Sequence, residues 1–310
     1  MSQADGTALN PAVPGPAMPA HAAGTRAAVI GHPIAHSKSP ALHSAAYRLL
    51  GVGCQYSAED VLPGELEQFL ARIRQQEDWR GLSVTMPHKA AMTHLTTSNT
   101  PLVEALGVLN TVTFDRKGDG VHLTGHNTDA AGVAGALSYS GMGSPTRAAI
   151  LGGGGTAAAA VAGLHLLGAD RADVFVRSPE RARGLTDVGA RLGIAVTIQP
   201  WSGARHALAA ADVVVSTLPP HAADSLAAEW SAAAEQRHPA TPGTLLDVAY
   251  DPWPSALAAA WSDAGGTVVP GIEMLLYQAV EQIRLFFPEA PEPGREVINV
   301  MCDAVGVPRR

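Results

Sequence analysis

AAILGGGGTAAAAVAGLHLLG, residues 148–168, reads as a short apolar strand, a run of glycines and a helix in immediate succession. Gly152, Gly154 and Ala157 fit a G-x-G-x-x-A spacing. Glycines permit the tight turn and let backbone N–H groups come close to a pyrophosphate. The N-terminus of the following helix then offers it a partial positive charge. A glycine-rich turn that holds no ligand has the same spelling. The strand before it and the helix after it favour the dinucleotide reading.

Outward from this loop, strands and helices alternate. Downstream, ADVFVR, VTIQP, DVVVSTLP, TLLDVAY and GTVVPG are strand-like, with room for helices between them. That is the element order of a doubly wound nucleotide-binding domain. Upstream, AAVIG, QYSAEDV and GLSVTMP read as strands, in the last of which Leu82, Val84 and Met86 alternate with small polar residues. A helix fits residues 40–50, and PGELEQFLARIRQQ is a second one with Leu66, Phe69, Leu70 and Ile73 on one face. Such alternation favours a parallel sheet with right-handed crossovers. VLNTVTF and VHLTGHN form a hairpin across the glycine-bearing turn DRKGDG. NTDAAGVAGALSYSG, 127–141, is a helix joining the two halves, with Asn127 or Thr128 as its N-cap. GIEMLLYQAVEQIRLFF is a last helix after the second series. The expected fold is α/β in two domains: an N-terminal α/β domain and a Rossmann-type doubly wound domain.

A chain of 310 residues suits two domains, and 46% apolar with 16% charged residues is a globular composition. The net charge of −7 and the lack of any basic block argue against nucleic-acid partners. No apolar run reaches the roughly 18 residues of a membrane helix. Residues 1–24 are rich in Ala, Pro and Gly and lack a cationic start, so they read as a disordered tail and not as a signal peptide. Cys54 and Cys302 form no paired spacing and suit a reducing cytoplasm. His32, His36, His43, His88, His122 and His126 match no standard metal spacing, so no metal is expected.

Several polar groups stand at strand ends. After the strand ADVFVR, where an NAD enzyme usually carries an acidic residue, the sequence is VRSPER. Arg177 and Arg181, with Ser178 between them, can form two sides of a phosphate clamp, which points to NADP. Plain surface arginines at a helix start are the alternative. Ser37 and Ser39 lie in a loop between strand and helix, where they suit a polyhydroxylated or carboxylate ligand; helix capping ahead of Pro40 explains Ser39 as well. Asn110 and Thr111 lie in the first hairpin strand, and Asp129 starts the joining helix, where a carboxylate serves the dipole. Lys89 follows Pro87 at a strand's C-terminal end, facing the crevice where open α/β sheets bind ligands. A lysine beside a carboxylate can protonate a developing alkoxide. An ordinary surface lysine fits the spacing equally well.

Taken together, these stretches resemble the shikimate dehydrogenase family. GHPIAHSKSPALH looks like its substrate serine motif, GLSVTMPHK like its lysine motif and GVLNTV like its asparagine motif. GHNTDAAG is similar to the motif of its catalytic aspartate. LGGGGTAAA and VRSPERA resemble its NADP loop and arginine clamp, and DVAYDPWPSAL and GIEMLLYQA its two late motifs. These eight motifs run in the family's order from about residue 26 to 287. The resemblance implies reversible NADPH-dependent reduction of 3-dehydroshikimate to shikimate, a step of aromatic amino-acid biosynthesis, by a cytoplasmic monomer or homodimer. It implies Lys89 and Asp129 as the catalytic pair. Ser37, Ser39, Thr85, Asn110, Tyr250 and Gln278 would bind the substrate, and Gly152, Gly154, Gly155, Arg177, Ser178, Arg181 and Gly271 the cofactor. It further implies a discontinuous substrate domain, 25–127 with 271–310, around a cofactor domain at 128–270.

Three positions depart from the family pattern. Ser83 stands where asparagine is common, Val176 where an asparagine often precedes the clamp arginine, and Ser255 where threonine is usual. None removes a reacting group. A quinate/shikimate dehydrogenase preferring NAD is disfavoured by arginine at position 177. A related folate enzyme is disfavoured by Ser37, Ser39 and Gln278, and a non-catalytic NADP-binding regulator by the presence of both Lys89 and Asp129.

Overall fold

The computed structural model describes residues 24–117, 120–236 and 243–310. The expected tail, apart from Gly24, and the tip of the hairpin at 118–119 lie outside the described residues. The first half carries β1 (Thr25–Gly31), α1 (Ser39–Leu50), β2 (Cys54–Asp60), α2 (Leu66–Arg74), β3 (Trp79–Val84), β4 (Ser98–Asn99), α3 (Pro101–Leu106), β5 (Thr111–Lys117) and β6 (Gly120–His126). The joining helix is α4 (Asp129–Tyr139). The second series follows: β7 (Ala148–Leu151), α5 (Gly155–Leu166), β8 (Arg171–Val176), α6 (Pro179–Ala182), α7 (Gly184–Leu192), β9 (Ala195–Pro200), α8 (Ala204–Leu208), β10 (Val213–Ser216), α9 (Asp224–Gln236), β11 (Thr244–Asp247), α10 (Ala256–Asp263) and β12 (Thr267–Pro270). Two helices close the chain, α11 (Gly271–Phe286) and α12 (Arg295–Val305).

The second sheet is six-stranded, ordered β12-β11-β10-β7-β8-β9, with every pairing parallel. Counted from β7, this is the doubly wound order, and its direction reverses between β7 and β10. Both faces are covered. Ile150 and Val174 pack against Val133 and Leu137 of α4 and Val161 of α5. Leu151, Val214 and Leu245 pack against Leu226, Trp230, Leu257 and Trp261 on the other side.

The first sheet is mixed, ordered β2-β1-β3-β5-β6-β4. β2, β1 and β3 are parallel, whereas β5 runs antiparallel to both β3 and β6. Alternate residues of β1 serve its two faces. Ala27 and Val29 meet α1, α11 and α12 through Leu42, Ile283 and Met301. Ala28 and Ile30 meet the expected apolar face of α2, Leu66, Phe69, Leu70 and Ile73.

Two details differ from the expectation. β3 stops at Val84, and Met86 is 72% exposed, so the strand's alternation ends before Met86 and that side chain serves no core. Within β3 the residues 81–84 are all buried, because helices cover both faces. The helix α12, which fills the core beneath β1 with Val297, Met301 and Cys302, was not anticipated as a separate element.

Candidate active site

The C-terminal ends of β1 and β3, the start of α4 and the start of α11 converge on a cavity of about 520 Å³. Its wall holds Ser37, Ser39, Thr85, Lys89, Asn110, Asp129, Tyr250, Gly271 and Gln278. Every residue expected to meet the substrate is therefore in one place, though they span nearly the whole described chain.

Lys89 reaches the wall on a pinned turn. The buried His88 ring is hydrogen-bonded to the Val61 carbonyl at 2.7 Å, and the Lys89 carbonyl accepts from the Leu109 N–H at 3.1 Å. Lys89 Nζ then lies 2.5 Å from Asp129 Oδ2, with the two side chains 16% and 8% exposed. Asp129 sits in the first turn of α4, where the dipole favours a carboxylate. The bond expected of the helix cap is made by Asn127, whose Oδ1 accepts from Ala130 N at 3.3 Å; Thr128 makes no side-chain capping bond.

Asn110 orders this corner. Its Oδ1 accepts from the Thr128 N–H at 2.7 Å, a contact only an oxygen can make. Its Nδ2 must therefore be the group that donates to Asp129 Oδ1 at 2.8 Å. Asp129 thus accepts from Lys89 on one oxygen and from Asn110 on the other. Gln278 arrives from α11 because Gly132 of α4 has no side chain. A Cβ there would lie 2.8 Å from the Met274 carbonyl and 2.9 Å from Gln278 Cβ.

On the serine side, Ser39 is the first residue of α1, and its side chain is hydrogen-bonded to the buried Tyr56 phenol. Ser37 Oγ accepts from the Ser39 N–H at 3.3 Å, and both serines line the cavity. Tyr250 lies across the cavity; burial, with Asp251 beside it, raises its phenol pKa above the ordinary value. Its loop is anchored by Ser255, which donates to Asp247 Oδ2 at 2.5 Å and caps α10 by accepting from Ala258 N at 3.0 Å. A serine there performs both tasks with its hydroxyl alone. Gly271 is forced by close approach, since a Cβ would lie 2.2 Å from the Val248 carbonyl.

A second cavity of about 360 Å³ lies where the strand order of the second sheet reverses. It is lined by Gly152, Gly154, Arg177, Ser178 and Arg181. Gly152 has φ +106°, and its missing Cβ leaves space for the Thr217 hydroxyl. Around Gly154 a Cβ would meet nothing within 4 Å, so this position opens onto free space at the head of α5. Gly155 is the first residue of α5; its missing Cβ faces Val108 of the first half, 3.3 Å away, and neither cavity is lined by it. Arg177 and Arg181 are exposed, and neither has an ion pair or side-chain hydrogen bond among the described residues. Val176 is buried against Ala182 and the glycine turn, filling space with no polar contact.

The sequence reading missed Ser83 and Gln282 as wall residues. Gln282 had a legible signal, since it stands one helical turn beyond Gln278 on the same face of α11. Ser83 had none, because its partner is the remote Tyr56, which donates to Ser83 Oγ at 2.6 Å.

Known proteins resemble this chain in sequence and in fold. Residues 29–112 match the shikimate dehydrogenase substrate binding domain. A shikimate dehydrogenase (NADP(+)) from Rubrobacter xylanophilus is 36% identical over 270 residues, covering 86% of this chain and 92% of the relative. The crystal structure of Mycobacterium tuberculosis shikimate dehydrogenase aligns with a TM-score of 0.78 at 38% identity, covering 91% of this chain and 99% of that one. Quinate dehydrogenase from Corynebacterium glutamicum in complex with NAD also reaches 0.78, at 26% identity over 91% of this chain and 98% of its own. The chain belongs to the shikimate dehydrogenase family.

Proposed function

We propose that this protein is a cytoplasmic shikimate dehydrogenase that reversibly reduces 3-dehydroshikimate to shikimate with NADPH. The observation that carries the proposal is the Lys89–Asp129 pair, 2.5 Å apart in the wall of the larger cavity and ordered by Asn110. Residues 25–127 and 271–310 form the substrate domain and 128–270 the cofactor domain. The packing of α11 and α12 against the first sheet supports this division.

The second cavity fits NADP. The open space at Gly154 and the head of α5 suit the pyrophosphate, and the guanidinium groups of Arg177 and Arg181, unpaired among the described residues, suit a ribose phosphate. Gly152, Gly154, Gly155, Arg177, Ser178 and Arg181 would hold the dinucleotide, and Gly271 would border the nicotinamide. When bound, the nicotinamide supplies the hydride received by the ketone carbon.

The chain's own groups handle the oxygen. Lys89 Nζ steadies the developing alkoxide and donates its proton to it, and Asp129 keeps Nζ placed while hydrogen-bonding the same hydroxyl. In the oxidative direction the proton returns to Lys89. Ser37 and Ser39 take the substrate carboxylate, and Thr85, Asn110, Gln278 and Tyr250 take its hydroxyls. The test is NADP-dependent oxidation by the purified protein with shikimate and with quinate as alternative substrates. Shikimate should be strongly preferred. A preference for quinate with NAD would instead support the quinate dehydrogenase reading.

A further inference from the structure

Behind the serine side of the cavity lies a buried polar cluster that the proposed mechanism leaves unused: His43, Tyr47, Tyr56, Ser83, Thr111 and Gln282. His43 and Tyr56 stack at 4.0 Å with an interplanar angle of 8°. Only Ser83 and Gln282 of this group reach the cavity wall.

One backbone carbonyl fixes the protons around Ser83. Gln282 has an amide group within 3.3 Å of the Asn110 carbonyl, which can only accept, so that group is the Nε2 donor. The same nitrogen donates to Thr111 Oγ1 at 2.9 Å. Gln282 Oε1 therefore faces Ser83 Oγ at 2.8 Å and His43 Nε2 at 3.2 Å, and both must donate to it. His43 Nδ1, at 3.0 Å from the Tyr47 hydroxyl, is then an acceptor. Burial, partly opposed by Gln282, lowers the His43 pKa to about 3, which matches this neutral tautomer. Ser83 has a single proton, and it is committed to Gln282. Tyr56 must donate to Ser83 and not receive from it. One lone pair is all the hydrogen-bonding capacity that Ser83 has left for the cavity.

We propose that Ser83 is a specificity-determining residue that presents only an acceptor to the substrate, and so takes one of its hydroxyl groups and not its carboxylate. An asparagine, common at this position in the family, offers both an N–H₂ and a carbonyl; the serine in this chain, locked between Tyr56 and Gln282, offers one polarity. Tyr56 and Gln282 act through Ser83 and are positioning residues. This inference rests on the shikimate reading of the cavity.

The test compares wild type, Ser83→Ala and Ser83→Thr on shikimate and on its 4-deoxy and 5-deoxy analogues. It is read by NADP reduction and, independently, by calorimetric binding without cofactor. Loss of one hydrogen bond to a bound hydroxyl predicts about a tenfold fall in kcat/KM for Ser83→Ala with shikimate, most of it in KM. The fall should vanish for one of the two deoxy analogues, and Ser83→Thr should restore most of the loss. The assignment is overturned if Ser83→Ala stays within about twofold of wild type on shikimate, or if its loss is equal on all three compounds. A wild type that neither binds nor oxidises shikimate would overturn the reading of the cavity itself, and this assignment with it.

Discussion

Replacing Lys89 with methionine keeps most of the side chain's length and removes its proton and charge. The proposed general acid is worth about 10²–10⁴-fold, or roughly 3–5 kcal/mol in the barrier. The structure says where this loss falls. Asp129, 8% exposed at its side chain, loses its bond from Lys89 but keeps Asn110 Nδ2 at 2.8 Å and the start of α4. The carboxylate therefore stays partly satisfied, and the fold should lose only about 1–2 kcal/mol, several degrees in Tm at most. The assay is NADPH oxidation with 3-dehydroshikimate at saturating concentrations, with Tm measured in parallel. Lys89→Met should lower kcat at least a hundredfold, with KM within about threefold of wild type. A kcat within a few-fold of wild type would refute the role of Lys89. A large rise in KM with kcat unchanged would assign it to binding.

Three further outcomes follow from the geometry. Arg177→Ala and Arg181→Ala should each raise KM for NADPH about tenfold or more, from the loss of a charge-assisted bond of roughly 1.5–3 kcal/mol, and leave KM for NADH unchanged; equal effects on both cofactors would contradict the clamp. Gly152→Ala and Gly154→Ala should separate stability from binding. The first meets φ +106° and Thr217 Oγ1 at 2.5 Å and should lower stability by about 1–3 kcal/mol, whereas the second has open space and should keep its Tm while weakening NADP binding measured by calorimetry. His43 titrates near pH 3 when folded because it is buried, against 6.5 in the unfolded chain. The unfolded state alone binds this proton between those values, so stability should fall by about 1.4 kcal/mol per pH unit as pH drops below 6.5, flattening near pH 3. Urea unfolding at pH 7, 6 and 5 should show this component, and a His43→Gln variant should lack it; an unchanged slope in the variant would sink the assignment.

The glycine turn, its flanking strand and the helix α5 were legible because local spacing and backbone conformation decide them: a φ of +106° at Gly152 leaves a signature in the residue type. The amphipathic face of α2 was legible for the same local reason. Lys89 was not decided by spacing, since its importance lies in Asp129, 40 residues away, and only the ensemble of motifs pointed to it. Met86 was misread because period alone cannot tell where a strand leaves its sheet. Ser83 was unreadable, as its meaning depends on Tyr56 from another strand and Gln282 from a helix 199 residues later. Contacts of that range leave no trace in local pattern, whereas the fold that makes them does.

Together the two cavities serve NADPH-dependent reduction of 3-dehydroshikimate. The direct test is the steady-state rate of the purified protein with 3-dehydroshikimate, under NADPH and under NADH, with the product identified. One shikimate should form per NADPH consumed, and kcat/KM should be at least about tenfold higher with NADPH than with NADH. Absence of shikimate, or a preference for NADH, would contradict it.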